Sequence, residues 1–176
     1  MRKELILGGG CFWCMEAGFR MLRGVLEVVP GYAGGSTEDP DYRKVCRGNT
    51  GHAEVVKVVY DDSLLRTEDV LAMFFALHDP TTPNRQGNDV GTQYRSVILY
   101  QGMEQKKEAE DALAIWGHEH PGYVPVTELQ PLQGFHPAEE YHQRYYERNR
   151  NQPYCRMVIE PKLNKLISRQ SGLQRP

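Results

Sequence analysis

Three consecutive glycines followed by a cysteine constrain the fold of this chain more than any other feature of its sequence. An apolar run at 5–7 precedes the glycines at 8–10, and apolar side chains recur at helical spacing over 15–22. Glycine can adopt the positive φ angles that a sharp reversal between a strand and a helix requires. The sequence therefore predicts a strand, a tight turn and a helix that begins at Cys11.

The position of Cys11 predicts a reactive thiol. At a helix N-terminus, unpaired backbone N–H groups and the helix dipole favour an anion. We therefore expect this thiol to ionise more readily than a free cysteine and to be a better nucleophile. Phe12 and Trp13 follow it directly, although large aromatic side chains gain little from helix propensity at this point. The pattern indicates a thiolate beside an aromatic pocket.

Cys14 completes a C-x-x-C motif with Cys11, and the sequence leaves the purpose of the motif open. A redox pair like that of thioredoxin is one interpretation, and one catalytic thiol with a bystander is another. A third is half of a zinc site completed by Cys46 and His52, or by Cys155, but no second C-x-x-C and no paired histidine motif supports it. Two small buried thiols are the purely structural alternative.

The composition argues against some classes of partner. A formal charge of −2 over 176 residues gives no support for binding to nucleic acid or to a membrane surface. No apolar run approaches the length of a membrane span, and residues 1–7 lack the apolar region of a signal peptide. Four cysteines are too few to form the disulfide framework of a chain this long. We therefore expect a cytoplasmic protein whose cysteines are catalytic, metal-binding or simply buried.

The order of the predicted elements indicates the fold class. Strands are predicted at 3–7, 25–29, 53–60, 94–100 and 124–129, and helices at 12–23, 103–117 and 137–146, after Thr67 and from Pro161. Because strands and helices are interleaved without a repeat or a linker, we expect an α/β or α+β fold and a single domain over residues 1–176. Four residues are predicted to mark boundaries: Thr67 as a helix cap, Pro30 as a strand end, Pro125 at a sheet edge and Pro137 as a helix start.

Glu54 lies in the valine-rich strand predicted at 53–60. Strand alternation places it on the same face as Val56, Val58 and Tyr60, which indicates an apolar environment. Desolvation there would raise the pKa of Glu54 and keep the carboxyl protonated near neutral pH, as a general acid requires. The alternative is a wetted strand end with an ordinary pKa.

The local sequence around three further polar residues does not identify them as functional. Asp89 lies in the polar loop at 81–92, where an aspartate most often forms a turn. Tyr42 lies in a long loop at 32–51, and Tyr94 opens a predicted strand. Phenols donate hydrogen bonds without carrying charge, but most tyrosines serve in packing.

The histidines show no convincing metal spacing. His118 and His120 lack a third ligand, so a solvated helix end is the favoured interpretation. His136 is predicted to cap the helix that Pro137 opens. His142, within that helix, is expected to pack or to form a hydrogen bond.

Several motifs in the same order closely resemble the peptide methionine sulfoxide reductases of the A type. They are Gly10–Trp13 with Glu16, Gly31–Gly35, Tyr42–Cys46, Gly51–Glu54, Gln86–Ser96, Glu139–Gln143 and Pro153–Cys155. The resemblance covers roughly residues 5–160. It implies a two-layer α/β sandwich with a mixed sheet, flanking helices and a ferredoxin-like core, and it implies no metal and no organic cofactor.

The resemblance also implies a role for each candidate site residue. Cys11 would be the nucleophile, and Phe12 and Trp13 would bind the methyl group of methionine sulfoxide. Glu54 would give a proton to the sulfoxide oxygen. The hydrogen-bond partners of that oxygen, directly or through water, would be Tyr42, Tyr94 and Asp89.

Two cysteines compete for the role of the second thiol. Cys155 matches the resolving cysteine of the family, on a tail that we expect to be mobile from about residue 150. Many relatives carry glycine where this chain has Cys14, which makes Cys14 a rival or a second relay. We expect Cys155 to resolve in preference to Cys14, and Cys46 to be a loop or core thiol.

By resemblance, the reaction would reduce the S epimer of methionine sulfoxide, in proteins and as the free amino acid, through a Cys11 sulfenic acid and an intramolecular disulfide. Thioredoxin would be the reductant, and the protein is expected to be a monomer. The alternatives are a thioredoxin-like oxidoreductase that uses Cys11 and Cys14, and a binding module stabilised by zinc.

Overall fold

A six-stranded mixed sheet lies at the centre of the computed structural model, which describes residues 1–169. The strands are β1 (Arg2–Gly9), β2 (Val25–Ala33), β3 (Ala53–Asp61), β4 (Arg85–Gln86), β5 (Asp89–Val90), β6 (Ser96–Tyr100), β7 (Glu128–Pro131) and β8 (Phe135–Pro137). The order across the sheet is β7-β6-β1-β3-β2-β8, and β4 pairs with β5 separately. Neighbouring strands of the sheet are antiparallel except β6 and β7, which are parallel.

Helices follow or separate most of these strands. They are α1 (Phe12–Arg20), α2 (Tyr42–Cys46), α3 (Thr67–Ala76), α4 (Met103–Glu119), α5 (Tyr145–Arg148) and α6 (Glu160–Arg169). Short 3-10 turns lie at Thr92–Tyr94 and Glu140–His142, and a π-type turn lies at Cys155–Ile159. The predicted mixture of strands and helices is confirmed. No helix within residues 1–169 has the length and apolarity needed to cross a membrane. Residues 170–176, part of the tail predicted to be mobile, lie outside the described residues.

The side chains of β3 alternate between two apolar clusters. Val56, Val58 and Tyr60 contribute to a cluster that also contains side chains of α1 and α3. Ala53 and Val55 contribute to a second cluster with residues of β1 and β6. The predicted alternation of this strand is therefore confirmed, and Glu54 shares the face that the helices cover.

The turn between β1 and α1 has the predicted form. Gly10 has a φ of +94°, and Cys11 caps the helix with an extended backbone. Gly9 is needed for a different reason, because a Cβ atom there would lie 2.2 Å from Met15 Cε and 2.8 Å from His78 Cγ. The predicted strand, turn and helix are confirmed, with the helix ending at Arg20 rather than at residue 23.

The sequence predicts that Pro30 ends the second strand, but β2 continues through Pro30 to Ala33. Within the described residues, β2 pairs with β8 only from Gly31 to Ala33, so Pro30 has a neighbouring strand on one side alone. Proline is tolerated at such an edge because no second strand requires its missing N–H. Its carbonyl still accepts a hydrogen bond from the Ala138 N–H at 2.9 Å.

The helix predicted at 137–146 is wrong. Pro137 pairs with Gly31 in β8, and His136 pairs with Tyr32, so neither residue opens or caps a helix. A 3-10 turn follows, and Arg144 then adopts a left-handed backbone with φ of 55°. A left-handed residue cannot continue a right-handed helix, so the segment divides at this point.

Other boundaries shift by a few residues. Arg66 rather than Thr67 caps α3, and the Thr67 hydroxyl instead bonds the Tyr60 hydroxyl. Tyr94 ends a 3-10 turn before β6, and Tyr42 begins a helix within the long loop at 32–51. The strand predicted at 124–129 is β7, which forms the predicted sheet edge and begins after Pro125.

Replacing Gly9 with alanine should destabilise the turn beneath Cys11. The added methyl group would overlap Met15 and His78, so we expect the free energy of unfolding to fall by about 1–3 kcal/mol. Gly117→Ala is the matched control, because nothing lies within 4 Å of a Cβ atom there and helix propensity predicts a gain of about 0.5–1 kcal/mol. Urea denaturation of both variants measures the difference, and equal stabilities would contradict the packing explanation.

Candidate active site

The Cys11 and Cys14 thiols form a hydrogen-bonded pair at the first turn of α1. Cys11 caps the helix and is half-buried, whereas Cys14 is only 3% exposed. The Cys11 thiol donates to the Cys14 sulfur, and this hydrogen bond is the largest influence that lowers the pKa of Cys14 to about 7. The pair therefore loses its first proton near neutral pH.

The predicted low pKa of Cys11 is wrong for the dithiol form. Burial raises the pKa of Cys11 most, and its hydrogen bond to Cys14 and the nearby charge of Glu54 raise it further. The Trp13 backbone N–H lowers this pKa but does not outweigh burial. The helix terminus does favour an anion here, yet the low pKa of this dithiol belongs to Cys14.

Cys155 lies close to Cys14 rather than in the solvent. It is fully buried in an apolar cluster with Cys14, Ala17 and Ile159. Burial and the charge of Cys14 raise the pKa of Cys155. Cys46 is exposed on α2, and all four cysteines are free thiols. The structure thus places Cys14 beside both Cys11 and Cys155.

Glu54 is a buried acid whose carboxyl is held by the first turn of α1. It is 1% exposed, and its Oε1 atom accepts a hydrogen bond from the Phe12 N–H at 3.2 Å. Burial is the main cause that raises the pKa of Glu54 to about 8, and the charges of Asp89 and Cys14 add to it. The predicted apolar environment and raised pKa are confirmed, and the wetted alternative is wrong.

The phenols of Tyr42 and Tyr94 lie close enough to Glu54 for its charge to affect their pKa values. Burial raises the pKa values of Tyr42 and Tyr94 well above their ordinary range, and the charge of Glu54 is the next largest cause for each. Both phenols are therefore neutral hydrogen-bond donors at physiological pH. Asp89 lies on β5 and accepts a hydrogen bond from the Tyr154 hydroxyl at 3.0 Å. The structure brings Tyr42, Tyr94 and Asp89 to the same site.

Trp13 lies in an aromatic cluster built largely from the C-terminal part of the chain. Its ring stacks on Tyr145 with centroids 3.7 Å apart and planes 7° apart, and it meets Tyr154 edge-on at 5.7 Å. Its indole N–H donates to His142 Nδ1 at 3.0 Å. Phe12 is fully buried, with its ring 5.1 Å from that of His142. Cys11 thus lies beside an aromatic cluster, and the predicted role of these rings as a pocket stays a prediction.

A family model described as peptide methionine sulfoxide reductase matches residues 3–174 of the chain. The chain belongs to this family.

Known members of the family agree with the assignment. Peptide methionine sulfoxide reductase MsrA of Sulfolobus acidocaldarius is 52% identical, over 92% of this chain and 91% of its own length. The crystal structure of Mxr1 from Saccharomyces cerevisiae in reduced form is 33% identical, with a TM-score of 0.80 over 88% of this chain and 89% of that one. Mxr1 in complex with Trx2 is 26% identical, with a TM-score of 0.56 over 82% and 84%.

Membership of the peptide methionine sulfoxide reductase family makes the chain an oxidoreductase that reduces methionine sulfoxide. The relatives match it over nearly its whole length, so the resemblance seen in the separate motifs extends along the chain. The C-x-x-C motif therefore belongs to a sulfoxide reductase and not to a thioredoxin-like oxidoreductase.

The described part of the chain does not support the zinc interpretation of the cysteines. Within residues 1–169, no group of three or more His, Cys, Asp or Glu side chains could hold a metal ion. His52 Nδ1 accepts a hydrogen bond from the Gly35 N–H at 3.0 Å, and its Nε2 lies 2.7 Å from the Thr37 carbonyl oxygen. Cys46 is exposed, whereas Cys14 and Cys155 are buried.

Sequence reasoning did not select three residues that shape this reductase site. His142 is fully buried, and its Nδ1 must be an acceptor because an indole N–H can only donate. Glu139 accepts hydrogen bonds from the Tyr42 N–H at 3.1 Å and the Tyr32 hydroxyl at 2.9 Å. Tyr154 contacts Trp13 and Asp89. In the sequence, these residues were indicated by the family motifs at Glu139–Gln143 and Pro153–Cys155. Those motifs have no local chemical pattern that would single out the three residues. The expectation that His142 forms packing or hydrogen-bond contacts is confirmed.

Proposed function

We propose that this reductase converts methionine S-sulfoxide, free or within proteins, to methionine with Cys11 as the nucleophile and Glu54 as the proton donor. The observation that carries the proposal is the buried carboxyl of Glu54 with a pKa of about 8, held at the first turn of the helix that Cys11 caps. A carboxylic acid that remains protonated at neutral pH can deliver its proton where negative charge develops on oxygen.

The surrounding residues suit the two ends of the sulfoxide group. Trp13 offers apolar ring surface to the methyl group, and the fully buried Phe12 packs against the same His142 ring as Trp13 does. Tyr42 and Tyr94 are neutral donors near Glu54, suited to bind the sulfoxide oxygen as its charge increases. Asp89 acts at the rim, where it holds the Tyr154 phenol that lies against Trp13.

The first step transfers two electrons from Cys11 to the substrate. The Cys11 sulfur attacks the sulfoxide sulfur while Glu54 protonates the oxygen, which makes it a better leaving group. In net balance, the sulfoxide is reduced to the thioether and its oxygen passes to Cys11 as a sulfenic acid. Glu54 regains from solvent one proton, which equals the proton that the thiol pair had lost to solvent before the attack.

The hydrogen bond between the two thiols explains how Cys11 becomes reactive despite its raised pKa. When the pair has lost one proton, the remaining proton lies between the two sulfurs. Its transfer to Cys14 leaves the negative charge on Cys11. Protonation of Glu54 assists this shift, because it removes one of the charges that raise the pKa of Cys11.

The positions of the thiols support a relay rather than direct resolution by Cys155. Cys14 condenses with the Cys11 sulfenic acid, forms a disulfide and releases water. Cys155 then attacks the Cys14 sulfur, and Cys11 leaves as a thiol. The burial of Cys155 beside Cys14 supports this order. It retains both candidates of the sequence analysis but reverses their expected order.

The disulfide is then reduced by an external dithiol, which we take to be a thioredoxin. The solved complex of the relative Mxr1 with Trx2 supports this partner. A cavity of about 1430 Å³ between α3, α4 and α6 is lined in part by Cys11, Cys14 and Tyr154, so the thiols are not sealed from outside.

We extend the proposal to the domain organisation, the oligomeric state and the location of the protein. We retain a single catalytic domain over residues 1–176, with a tail from about residue 150 that moves during the relay. We also retain a two-layer arrangement with a ferredoxin-like core, a monomer and a cytoplasmic location. Repair of oxidised proteins is the purpose that follows from the family's activity.

Replacing Cys11 with serine should abolish turnover of methionine S-sulfoxide, because a serine hydroxyl cannot accept the sulfoxide oxygen and form a sulfenic acid. Methionine release is measured with dithiothreitol as the reductant, so that no protein partner is needed. Cys46→Ser is the matched control, since Cys46 is exposed, and it should retain full activity. Turnover by the Cys11→Ser variant would overturn the proposed function.

Replacing Glu54 with glutamine should change both the rate and its pH dependence. The wild-type rate should fall as the pH rises through about 8, where Glu54 loses its proton. The variant should be about 100-fold slower at pH 7 and should lack this fall. Glu140→Gln, at an exposed position nearby, should keep the wild-type profile. A basic limb that persists unchanged in the Glu54→Gln variant would exclude Glu54 as the acid.

Mapping the disulfides formed in one turnover tests the relay. Wild-type protein should yield Cys14–Cys155, and the Cys155→Ser variant should stop at Cys11–Cys14. The Cys14→Ser variant should accumulate the Cys11 sulfenic acid, which dimedone traps for mass spectrometry. Rapid formation of Cys11–Cys155 in that last variant would instead support direct resolution by Cys155.

A further inference from the structure

Glu16 is a buried carboxylate that the proposed reaction does not use. It lies on α1, is 2% exposed, and burial raises its pKa. A buried carboxylate requires partners, and one is Arg20, whose Nη2 and Nε atoms lie 3.1 and 3.3 Å from Glu16 Oε2. Arg20 also donates to the Val28 carbonyl at 3.0 Å, which ties the group to β2.

The other partners of Glu16 are backbone groups far along the chain. The same oxygen accepts a hydrogen bond from the Arg144 N–H at 3.0 Å, and the carboxylate also receives the Tyr145 N–H. Arg144 has φ of 55° and ψ of 36°, a left-handed conformation that is strained for any residue with a Cβ atom. Such a residue persists only when its surroundings hold it in place.

Arg144 directly precedes Tyr145, whose ring supports Trp13. Tyr145 stacks on Trp13 with centroids 3.7 Å apart and planes only 7° apart. Trp13 and Glu16 are three residues apart on α1, so they are neighbours on its surface. One helix thus binds the 144–145 backbone through Glu16 and the Tyr145 ring through Trp13.

We propose that Glu16 is a positioning residue for the methyl pocket, because its carboxylate holds Arg144 in the left-handed turn that keeps Tyr145 stacked on Trp13. The inference rests on the proposed function, in which Trp13 binds the substrate methyl group. Without the carboxylate, two backbone N–H groups lose their acceptor and Arg144 relaxes toward a right-handed conformation. Tyr145 then leaves the stack, and Trp13 gains freedom that substrate binding must remove.

Replacing Glu16 with alanine should therefore raise KM for methionine sulfoxide about tenfold, within the range that loss of one held left-handed residue implies. The kcat value should change by less than about threefold, because Cys11 and Glu54 remain in place. Glu16→Gln keeps one acceptor oxygen without the charge and should have an intermediate KM, which preserves the test if the alanine variant folds poorly.

The decisive experiment is rescue by glycine at position 144. Glycine adopts positive φ without strain, so Arg144→Gly in the Glu16→Ala background should recover most of the lost affinity. Arg144→Ala in the same background is the matched control. It removes the same side chain, including the exposed ion pair with Glu147, but keeps a Cβ atom, and should rescue nothing. A purely destabilising role of Glu16 would respond equally to both substitutions.

Tryptophan fluorescence provides a readout independent of activity. Trp13 and Trp116 are the two tryptophans of the chain, so a Trp116→Phe background isolates Trp13. We expect Glu16→Ala to shift the Trp13 emission to longer wavelength and Arg144→Gly to reverse the shift. An unchanged spectrum in Glu16→Ala, or equal rescue by alanine and glycine, would overturn the inference. If Trp13→Ala itself leaves KM unchanged, the proposed methyl pocket fails instead.

Discussion

The hydrogen bond from the Phe12 N–H to Glu54 Oε1 is the interaction on which the site depends. It joins the first turn of α1 to β3 and gives a buried acid one of the few donors it can reach. A helix N-terminus always presents backbone N–H groups that require an acceptor. Here a carboxyl meets that requirement, and the residue that caps the same helix is Cys11. The strand-to-helix turn thus sets the Cys11 thiol and the Glu54 carboxyl, the proposed nucleophile and acid, next to each other.

Placing several acidic groups in one buried site restricts how many of them can ionise. Glu54, Cys11 and Cys14 influence one another, and Asp89 adds a further charge nearby. The charge of Glu54 raises the pKa of Cys11, and the charges of Asp89 and Cys14 raise the pKa of Glu54, so these two groups retain protons near neutral pH. A site that binds a neutral sulfoxide and must protonate its oxygen benefits from this retention. Burial is the main cause of the raised pKa of both Cys11 and Glu54, and the neighbouring charges add to it. The hydrogen bond between the thiols raises the pKa of Cys11 further and lowers that of Cys14.

Features that depend on neighbouring residues could be predicted from the sequence. The glycine turn, the helix start at Cys11 and the apolar face of Glu54 all follow from spacing over fewer than ten residues. The pKa of Cys11 could not be predicted, because burial by distant segments outweighs the helix terminus. The packing of Cys155 in one cluster with Cys14 could not be predicted either, since it depends on how the C-terminal segment returns to α1. The resemblance to a family named both cysteines and favoured Cys155 as the resolving thiol, and the proposed relay reverses that order.

The segment at 139–145 shows why a helix could not form there. Glu139 holds the Tyr42 backbone, His142 accepts the Trp13 indole N–H, and Tyr145 stacks on Trp13. Glu139 and His142 lie within a turn of each other and contact Tyr42 and Trp13, the residues proposed to bind the sulfoxide oxygen and the methyl group. A continuous helix would carry Tyr145 past Trp13, so the chain reverses its local handedness at Arg144. One short segment thus contacts both Tyr42 and Trp13, and the left-handed backbone of Arg144 within it is why propensity alone predicts this region wrongly.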